Sequence, residues 1–241
     1  MSAPRIFLHG WGLSSVVWAD TAARLAGTAV DLPGYGAVAA VFPSRVENLA
    51  DALAEQIAAP VALVGWSMGG MVALALTARH PEKVARLVLV GASPAFVASA
   101  DWPHGMAPEV LAEFARSLAL DYRATLSRFL SLQARGGDAA REVIAQLRAR
   151  LRVQAEPSQE TLAAGLELLR AVDLRDQVER VVCPTLVIHG AHDTLCAPAA
   201  GAWLASHLPH ARLAAHERAA HAPFLSHPDW FAAELEEFLH G

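Results

Sequence analysis

The most informative stretch of this chain is a serine between two glycines, in the segment Gly65–Gly69 of sequence GWSMG. A short apolar run, Val61–Val64, precedes it, and a helix-prone run, Met71–Ala78, follows it. A strand that turns directly into a helix holds a serine hydroxyl exposed at the turn, and the glycines leave room for that turn. The motif alone recurs by chance, so its strand and helix context is what favours a nucleophile over a plain glycine-rich turn. The sequence therefore predicts that Ser67 is a nucleophile.

A serine nucleophile needs a base that takes its proton and an acid that orients the base. Later in the chain, Asp193 follows the strand-like run Val182–His189, and His221 lies in a loop before the last helical stretch. Serine, acid and histidine in this chain order, with acid and base in loops, favour Asp193 and His221 as partners of the nucleophile. A merely structural loop histidine is the alternative for His221. Asp31 and Asp173 are the other acid candidates, of which Asp31 lies in a tight turn and is interpreted as structural.

The tetrahedral intermediate of such a reaction needs hydrogen-bond donors for its oxyanion. The backbone N–H of Met68, directly after the serine, is one expected donor, and that of Trp11 is the other. Trp11 belongs to the loop His9–Gly12, of sequence HGWG, in which the His9 side chain is expected to support the loop. The indoles of Trp11 and Trp66 could wall an acyl pocket, although buried aromatic side chains are more often plain core.

Alternating strands and helices must position these residues. The strand-like runs are Arg5–Leu8, Thr28–Leu32, Val61–Gly65, Val84–Val90, Val182–His189 and Arg212–Ala215. The helical stretches are Ser15–Ala26, Arg45–Ala58, Met68–His80, Pro198–His207 and Pro228–His240. This alternation predicts an α/β fold with a mostly parallel central sheet flanked by helices on both faces.

The alternation stops between about residues 101 and 172, where the pattern is helical and strand signals are almost absent. Pro103, Pro108 and Pro157 mark boundaries around or within this span. We therefore expect a core formed by residues 1–100 and 172–241, and a helical cap inserted at 101–171 that closes over the carboxyl edge of the sheet.

Composition narrows the class of protein. At 241 residues and 54% hydrophobic content, the chain suits one α/β domain with an insertion, and no apolar run reaches the roughly 18 residues of a membrane span. The N-terminus has no signal-peptide layout, and Cys183 and Cys196 are too few for a disulfide framework, so a cytoplasmic location is expected.

The net charge of −5 disfavours general nucleic-acid binding. Dinucleotide, Walker and metal-binding motifs are missing from suitable contexts, so we expect no cofactor and no metal. A monomer is the default expectation.

Charge is unevenly distributed along the chain. Residues 116–152 contain eight arginines against Asp121, Asp138 and Glu142, a net charge of +5, which leaves −10 for the remainder. A basic cap on an acidic body could steer an acidic partner to the cap. The alternative is that these arginines only solvate the outer faces of amphipathic helices.

Several motifs together resemble the α/β-hydrolase family. They are the segments 8–12, 31–34, 65–70 and 219–228, the last of sequence AAHAPFLSHP. More narrowly, the chain is similar to the pimeloyl-[acyl-carrier protein] methyl ester esterases of biotin synthesis. That similarity continues in segments 92–94, 101–103, 128–133 and 165–175, so it covers nearly the whole chain, the insertion included.

The resemblance implies roles for individual residues. Ser67, Asp193 and His221 would form the catalytic triad, and Trp11 and Met68 would contact the ester oxygen. It also implies that Phe129, Leu130, Ser131, Leu132 and Gln133 line the acyl site. Arginines of the cap would recognise an acidic carrier protein: Arg128 and Arg141 match family positions, whereas Arg123 is displaced by one residue and Ala145 stands where the family has another arginine.

We therefore predict a serine carboxylesterase that removes the methyl group from the pimeloyl-acyl-carrier protein methyl ester. One alternative is a general short-chain carboxylesterase, or another hydrolase of this fold, that acts on small free esters without a carrier protein. The other is a binding protein without catalysis, which the presence of all three triad residues in their expected contexts disfavours.

Overall fold

The computed structural model describes residues 3–38 and 40–240 and contains a six-stranded sheet, all parallel, in the order β2-β1-β3-β4-β5-β6. The strands are β1 (Arg5–Leu8), β2 (Thr28–Val30), β3 (Val61–Trp66), β4 (Val84–Val90), β5 (Thr185–Gly190) and β6 (Ala211–His216). This sheet, with helices packed on it, confirms the predicted α/β fold with a parallel central sheet. The carboxyl ends of its parallel strands meet at one edge, and Ser67, Asp193 and His221 follow the ends of β3, β5 and β6 there.

The strands follow from the apolar runs in the sequence. Every residue of β3 and β5 is buried, which is typical of inner strands of a parallel sheet with both faces covered. The strand-like run at 182–189 was expected to begin earlier than β5 does. Pro184 has no N–H to give to a neighbouring strand, and Val182 is 60% exposed, so regular pairing begins only at Thr185.

Helices pack on both faces of the sheet. They are α1 (Ala19–Arg24), α2 (Val46–Gln56), α3 (Met68–Arg79), α4 (Pro108–Leu120), α5 (Tyr122–Gln133), α6 (Ala140–Val153), α7 (Gln159–Ala171), α8 (Pro198–His207), α9 (Pro223–Ser226) and α10 (Pro228–His240). The single helix predicted over 15–26 is instead a 3₁₀ turn, Ser15–Trp18, followed by the short α1.

Four consecutive helices, α4 to α7, lie between β4 and β5, and we refer to residues 108–171 as the helical insertion. Its helix boundaries are set by local chemistry. Pro108 occupies the first turn of α4, where its missing N–H costs nothing. The Asp121 carboxylate caps α5 by accepting from the N–H of Ala124, and the Ser158 hydroxyl caps α7 by accepting from that of Thr161.

Buried apolar side chains form two large clusters, one on each face of the sheet. The first cluster contains α2, α3 and residues of α4, α5 and α7, and the second contains α9, α10 and residues of α6. The helical insertion thus contributes buried side chains to both clusters. Within residues 3–38 and 40–240, no helix combines the length and apolar character needed to cross a bilayer. Cys183 and Cys196 are free thiols. Cytoplasmic location and the monomeric state stay predictions.

Candidate active site

Ser67 lies at the tight turn between β3 and α3, in a backbone conformation that non-glycine residues rarely adopt. Its φ is 55° and its ψ is −120°, and such a conformation persists only where the surroundings enforce it. The Ser67 N–H donates to the carbonyl of Val90 at 2.9 Å, which ties the turn to β4. A methyl group on Gly69 would lie 2.5 Å from the His9 carbonyl oxygen, and one on Gly65 would meet the Gly69 carbonyl. Both glycines of the motif are therefore required by close backbone approach.

Asp193 and His221 form a buried pair beyond the carboxyl ends of β5 and β6. His221 Nδ1 lies 2.7 Å from Asp193 Oδ2, and the two residues are only 1% and 4% exposed. The other carboxylate oxygen, Oδ1, accepts from the backbone N–H groups of Leu195 and Cys196 at 2.9 Å each. The turn after β5 therefore fixes the acid, and the acid fixes the imidazole.

The electrostatics of Asp193 and His221 indicate which of their atoms carry protons. Burial raises the pKa of Asp193, but the neighbouring His221 and the hydrogen bonds to the carboxylate outweigh it and hold the pKa well below its ordinary value. An ionised Asp193 accepts from Nδ1–H of His221, which leaves Nε2 as the basic nitrogen. Within the described residues this buried Nε2 has no hydrogen-bond partner, so Ser67 and His221 are not hydrogen-bonded in this structure. Such contacts often tighten only when substrate binds.

The backbone of His221 is held from both sides. Its N–H donates to the carbonyl of Gln133 at 3.0 Å, and its carbonyl accepts from the indole N–H of Trp66 at 2.9 Å. The Trp66 and His221 rings lie 5.4 Å apart, so the residue before the serine contacts the histidine directly. Trp66 is 1% exposed and packs edge-on against Phe224. Its expected role as a pocket wall stays a prediction, and holding the His221 backbone is a role that the sequence did not indicate.

The two expected oxyanion donors are in the elements that flank the serine. Met68 is the first residue of α3, so its N–H belongs to the helix's N-terminal donors, where the helix dipole favours negative charge. Trp11 lies in the loop after β1, which passes beside the serine, because a methyl group on Gly10 would lie 3.2 Å from Ser67 Cβ. The Trp11 indole donates to the carbonyl of Leu162 at 2.9 Å. Donation by the two backbone N–H groups to an oxyanion stays a prediction.

His9 supports the start of the same loop, as its position in the sequence predicted. Its Nε2 accepts from the N–H of Leu32 at 3.0 Å, and its Nδ1 lies 2.9 Å from the carbonyl oxygen of Gly10, to which it donates. Burial lowers the pKa of His9 to about 4, so the ring is neutral near pH 7 and can make both bonds at once.

The residues expected to line the acyl site, Phe129 to Gln133, are the last five of α5, and a helix cannot turn all five toward one pocket. Phe129 packs edge-on against Trp11, with 4.8 Å between ring centroids, and Gln133 contacts His221 through its carbonyl. Leu130 is fully buried in the second core cluster, and the Ser131 hydroxyl donates back to its own helix. Leu132 is half-buried against the first cluster. Phe129 is the member of the five placed against the expected oxyanion loop.

His189 is a site residue that the sequence analysis missed. It is 1% exposed, and its Nε2 lies 2.8 Å from the Cys196 carbonyl oxygen and 3.3 Å from Asp193 Oδ2. The ring donates to the Cys196 carbonyl and so closes the turn whose N–H groups hold the Asp193 carboxylate. A histidine inside an otherwise apolar strand, four residues before the candidate acid, was the signal available in the sequence.

The arginines expected to dock a carrier protein differ in their surroundings. Arg123 forms a two-pronged ion pair with Glu156, at 2.8 and 2.9 Å. Arg128 lies over the ring of Phe114, 5.3 Å from its centroid, and Arg141 is exposed on α6. Among residues 3–38 and 40–240, neither Arg128 nor Arg141 makes an ion pair. These two arginines are therefore the better placed to meet an acidic partner.

Within the described ranges, no three histidine, cysteine, aspartate or glutamate side chains are placed to hold a metal ion together. The expected absence of a cofactor stays a prediction.

Comparison with known proteins agrees with this geometry. The sequence profile described as "Alpha/beta hydrolase family" matches residues 6–234. A protein of Aromatoleum aromaticum named "Pimeloyl-[acyl-carrier protein] methyl ester esterase" is 44% identical over 245 residues, which cover 98% of each chain. A protein of the same name from Nitrosomonas europaea is 39% identical over 232 residues, which cover 95% of this chain and 92% of the relative.

Solved structures give the same fold with different activities. An esterase from Exiguobacterium antarcticum superposes with a TM-score of 0.90 at 24% identity, covering 100% of this chain and 94% of the other. An enol-lactonase from Burkholderia xenovorans superposes with a TM-score of 0.84 at 27% identity, covering 100% and 93%. The scaffold alone thus leaves the substrate open. The profile match over most of the chain and the full-length relatives show that the chain belongs to the α/β-hydrolase family.

Proposed function

We propose that this chain is a serine carboxylesterase that hydrolyses the methyl ester of pimeloyl-acyl-carrier protein, giving the free carboxylate on the carrier and methanol, as expected for biotin synthesis. The observation that carries the chemistry is the buried Asp193–His221 pair at 2.7 Å beside the strained turn of Ser67. The name shared by the relatives, at about 40% identity over nearly the full length, supports the substrate.

In the first half of the reaction, Ser67 Oγ attacks the carbonyl carbon of the methyl ester while His221 Nε2 accepts the serine proton. Asp193 stabilises the imidazolium and keeps its Nδ1–H oriented. The oxyanion accepts hydrogen bonds from the N–H groups of Met68 and Trp11. The intermediate collapses when the imidazolium gives its proton to the leaving methoxide, so methanol departs and an acyl-enzyme remains.

In the second half, His221 takes a proton from a water molecule, which attacks the acyl-enzyme carbonyl. The second tetrahedral intermediate expels the serine alkoxide, which recovers its proton from the imidazolium. The net reaction consumes one water and produces one carboxylic acid and one methanol. The free enzyme is restored without a cofactor.

The helical insertion is the proposed cap over this site. Its α5 brings Phe129 against Trp11 and the Gln133 carbonyl against the His221 N–H. The methylene chain of the substrate would run between the insertion and the sheet, and the carrier would meet the outer, arginine-bearing faces of the helices. The division into a core of residues 1–100 and 172–241 and a cap of 101–171 belongs to this proposal.

The direct test is hydrolysis of the carrier-linked methyl ester beside a free short-chain ester, with Ser67→Ala as the blank. We expect Ser67→Ala to lower kcat on both substrates by about 10⁴-fold or more while thermal unfolding stays close to that of the native protein. Activity retained in Ser67→Ala would exclude the serine mechanism. Equal catalytic efficiency on both esters would exclude the carrier-linked substrate as the preferred one.

A general short-chain esterase is the second candidate, because Glu156 already engages one of the expected docking arginines, Arg123. The variants Arg128→Glu and Arg141→Glu distinguish the carrier-dependent esterase from the general esterase. Arg45→Glu is a control with the same change of charge at an exposed position of the core. A carrier-dependent enzyme should show roughly a tenfold rise in KM for the carrier-linked ester in the first two variants, because attraction of the acidic carrier is lost. The free ester should be unaffected. Equal effects of all three variants would favour the general esterase.

A further inference from the structure

The loop after β1, residues 9–14, is called here the β1 loop, and its two halves are held by different parts of the molecule. The first half rests on the core: His9 accepts from the Leu32 N–H, and Gly10 lies against Trp66 and Ser67. The second half begins at Trp11, whose backbone N–H is the proposed oxyanion donor. From Trp11 onwards the β1 loop is bonded to the helical insertion.

Gln154 makes the most specific of these bonds. It lies directly after α6, and its backbone N–H closes that helix on the carbonyl of Arg150. Its side-chain Oε1 accepts from the N–H of Ser14 at 2.9 Å, and its Nε2 donates to the carbonyl of Gly12 at 3.2 Å. The side-chain amide therefore bridges two backbone groups that flank Leu13, and it fixes the Gly12–Leu13 and Leu13–Ser14 peptides, which follow Trp11 in the β1 loop.

The glutamine itself has little freedom. It is 9% exposed, so the amide is shielded from water and its two bonds are not readily exchanged for solvent. Arg150, one turn earlier on α6, pairs with Asp20 at 2.6 Å and anchors the same helix end beside α1. The end of α6 is thus attached to the core, and Gln154 connects this helix end to the β1 loop.

Gly12 shows why the β1 loop needs an outside support. Its φ is +78°, a conformation stable mainly for glycine, and a methyl group there would lie 2.5 Å from Leu126 of α5. A glycine in this region gives the loop freedom to take other conformations. The bonds from Gln154 to Gly12 and Ser14 select one of them.

We infer that Gln154 is a positioning residue for the oxyanion hole: it reaches from the helical insertion to set the β1 loop, and through it the direction of the Trp11 N–H. The inference rests on the proposed function, since it assumes that this N–H binds the ester oxyanion. It adds that the insertion supplies part of the catalytic geometry as well as covering the substrate. Loss of one oxyanion donor costs about 10²- to 10³-fold in kcat, so its misalignment should cost less.

The test is Gln154→Met, which keeps the length of the side chain and removes both hydrogen bonds. Gln159→Met is the matched control, because Gln159 is a glutamine of the same insertion that donates only to Ala119 within it. Both variants are assayed on a p-nitrophenyl short-chain ester. The kcat is expressed per reactive site, and reactive sites are counted by titration with an organophosphonate. The inhibition constant of a trifluoromethyl ketone, which forms a tetrahedral adduct with the serine, is measured in parallel.

We expect Gln154→Met to lower kcat per reactive site about 10- to 100-fold with little change in KM, and to weaken the ketone in proportion. Gln159→Met should match the native protein. Gln154→Asn keeps a neutral amide on a side chain that is one methylene shorter, so its bonds to Ser14 and Gly12 should weaken and its kcat should be intermediate. It also provides the test if Gln154→Met does not fold. Native kcat per reactive site in both Gln154 variants would overturn the inference and leave the proposed function standing. Absence of ester turnover in the native protein would overturn both.

Discussion

The acid–base pair and the β1 loop lie on opposite sides of Ser67 and are built in opposite ways. Asp193 and His221 are buried, and the sheet holds them through hydrogen bonds to Leu195 and Cys196 after β5 and to Trp66 of β3. The insertion adds one bond, from the His221 N–H to the Gln133 carbonyl. The β1 loop, in contrast, receives half of its hydrogen bonds from the helical insertion. In the proposed mechanism, proton transfer thus depends mainly on the sheet, whereas stabilisation of the oxyanion depends on the position of the insertion.

This difference separates two kinds of defect. A change in the acid–base pair should lower turnover of every ester to a similar extent, because the pair handles only protons. A change at the contact between insertion and β1 loop should act on the transition state and, through the insertion, on recognition of the larger substrate. Variants of the Asp193–His221 pair and variants of the β1 loop should therefore differ in how far they lower turnover. They should also differ in whether that loss depends on the substrate.

The largest effect is expected at the acid. Asp193→Asn keeps an oxygen for the N–H groups of Leu195 and Cys196, but it removes the charge that orients and stabilises the His221 imidazolium. We expect kcat to fall by about 10⁴-fold on carrier-linked and free esters alike. Steady-state kinetics on both substrates measures this. Asp173→Asn is the control, since Asp173 pairs with Arg175 outside the site; a comparable loss in that variant would contradict the assignment of the acid.

A smaller effect is expected at the contact between insertion and β1 loop. Gly12→Ala places a methyl group against Leu126 in a backbone conformation that disfavours side chains, so the Trp11 N–H should be misaligned and kcat should fall about 10- to 100-fold. Adding Leu126→Ala should recover part of the loss, because the collision disappears while backbone strain of about 1–2 kcal/mol remains. A double-mutant cycle in kcat per reactive site measures the coupling.

Gly34→Ala is the matched control for that cycle. Gly34 also has a positive φ, +76°, and a methyl group there would meet Thr161 of the insertion, but it lies outside the β1 loop. We expect lower stability with native kcat per reactive site. If Gly34→Ala and Gly12→Ala lower kcat equally, general strain rather than the β1 loop explains the effect.

The sequence predicted the fold class and the pairing of Asp193 with His221 because both follow from local patterns. Apolar runs specify buried strands, and chain order together with loop placement indicated which aspartate and histidine would pair. The contacts of His189 and Gln154 could not be predicted in this way. Gln154 meets residues about 140 positions away, and no local pattern records a contact that depends on how four helices pack over a sheet.

An effect of about tenfold is expected at His189, on the sheet side of the comparison. His189→Leu removes the donor to the buried Cys196 carbonyl and leaves that oxygen unsatisfied, which costs about 1–3 kcal/mol of unfolding free energy. The turn that holds Asp193 should loosen, so kcat should fall about tenfold on both esters. Urea unfolding and kinetics measure the two quantities. His207→Leu, at an exposed histidine stacked on Trp203, should change neither the turn nor kcat; a similar kcat loss there would contradict the role of His189.

The smallest effect concerns the core-held half of the β1 loop and appears only on acidification. The folded protein binds a proton at His9 with a pKa of about 4, whereas the unfolded chain binds it near 6.5. Between these values the unfolded state holds more protons, so the free energy of unfolding falls as the pH is lowered, by about 2 kcal/mol at pH 5. His9→Gln can still accept from Leu32 and donate to Gly10 without titrating. Urea unfolding at pH 7.5 and pH 5 should therefore show a smaller loss in the variant than in the native protein. The lowered pKa of His216 acts equally in both proteins and cancels in the comparison. Equal losses would mean that a neutral His9 does not stabilise the β1 loop.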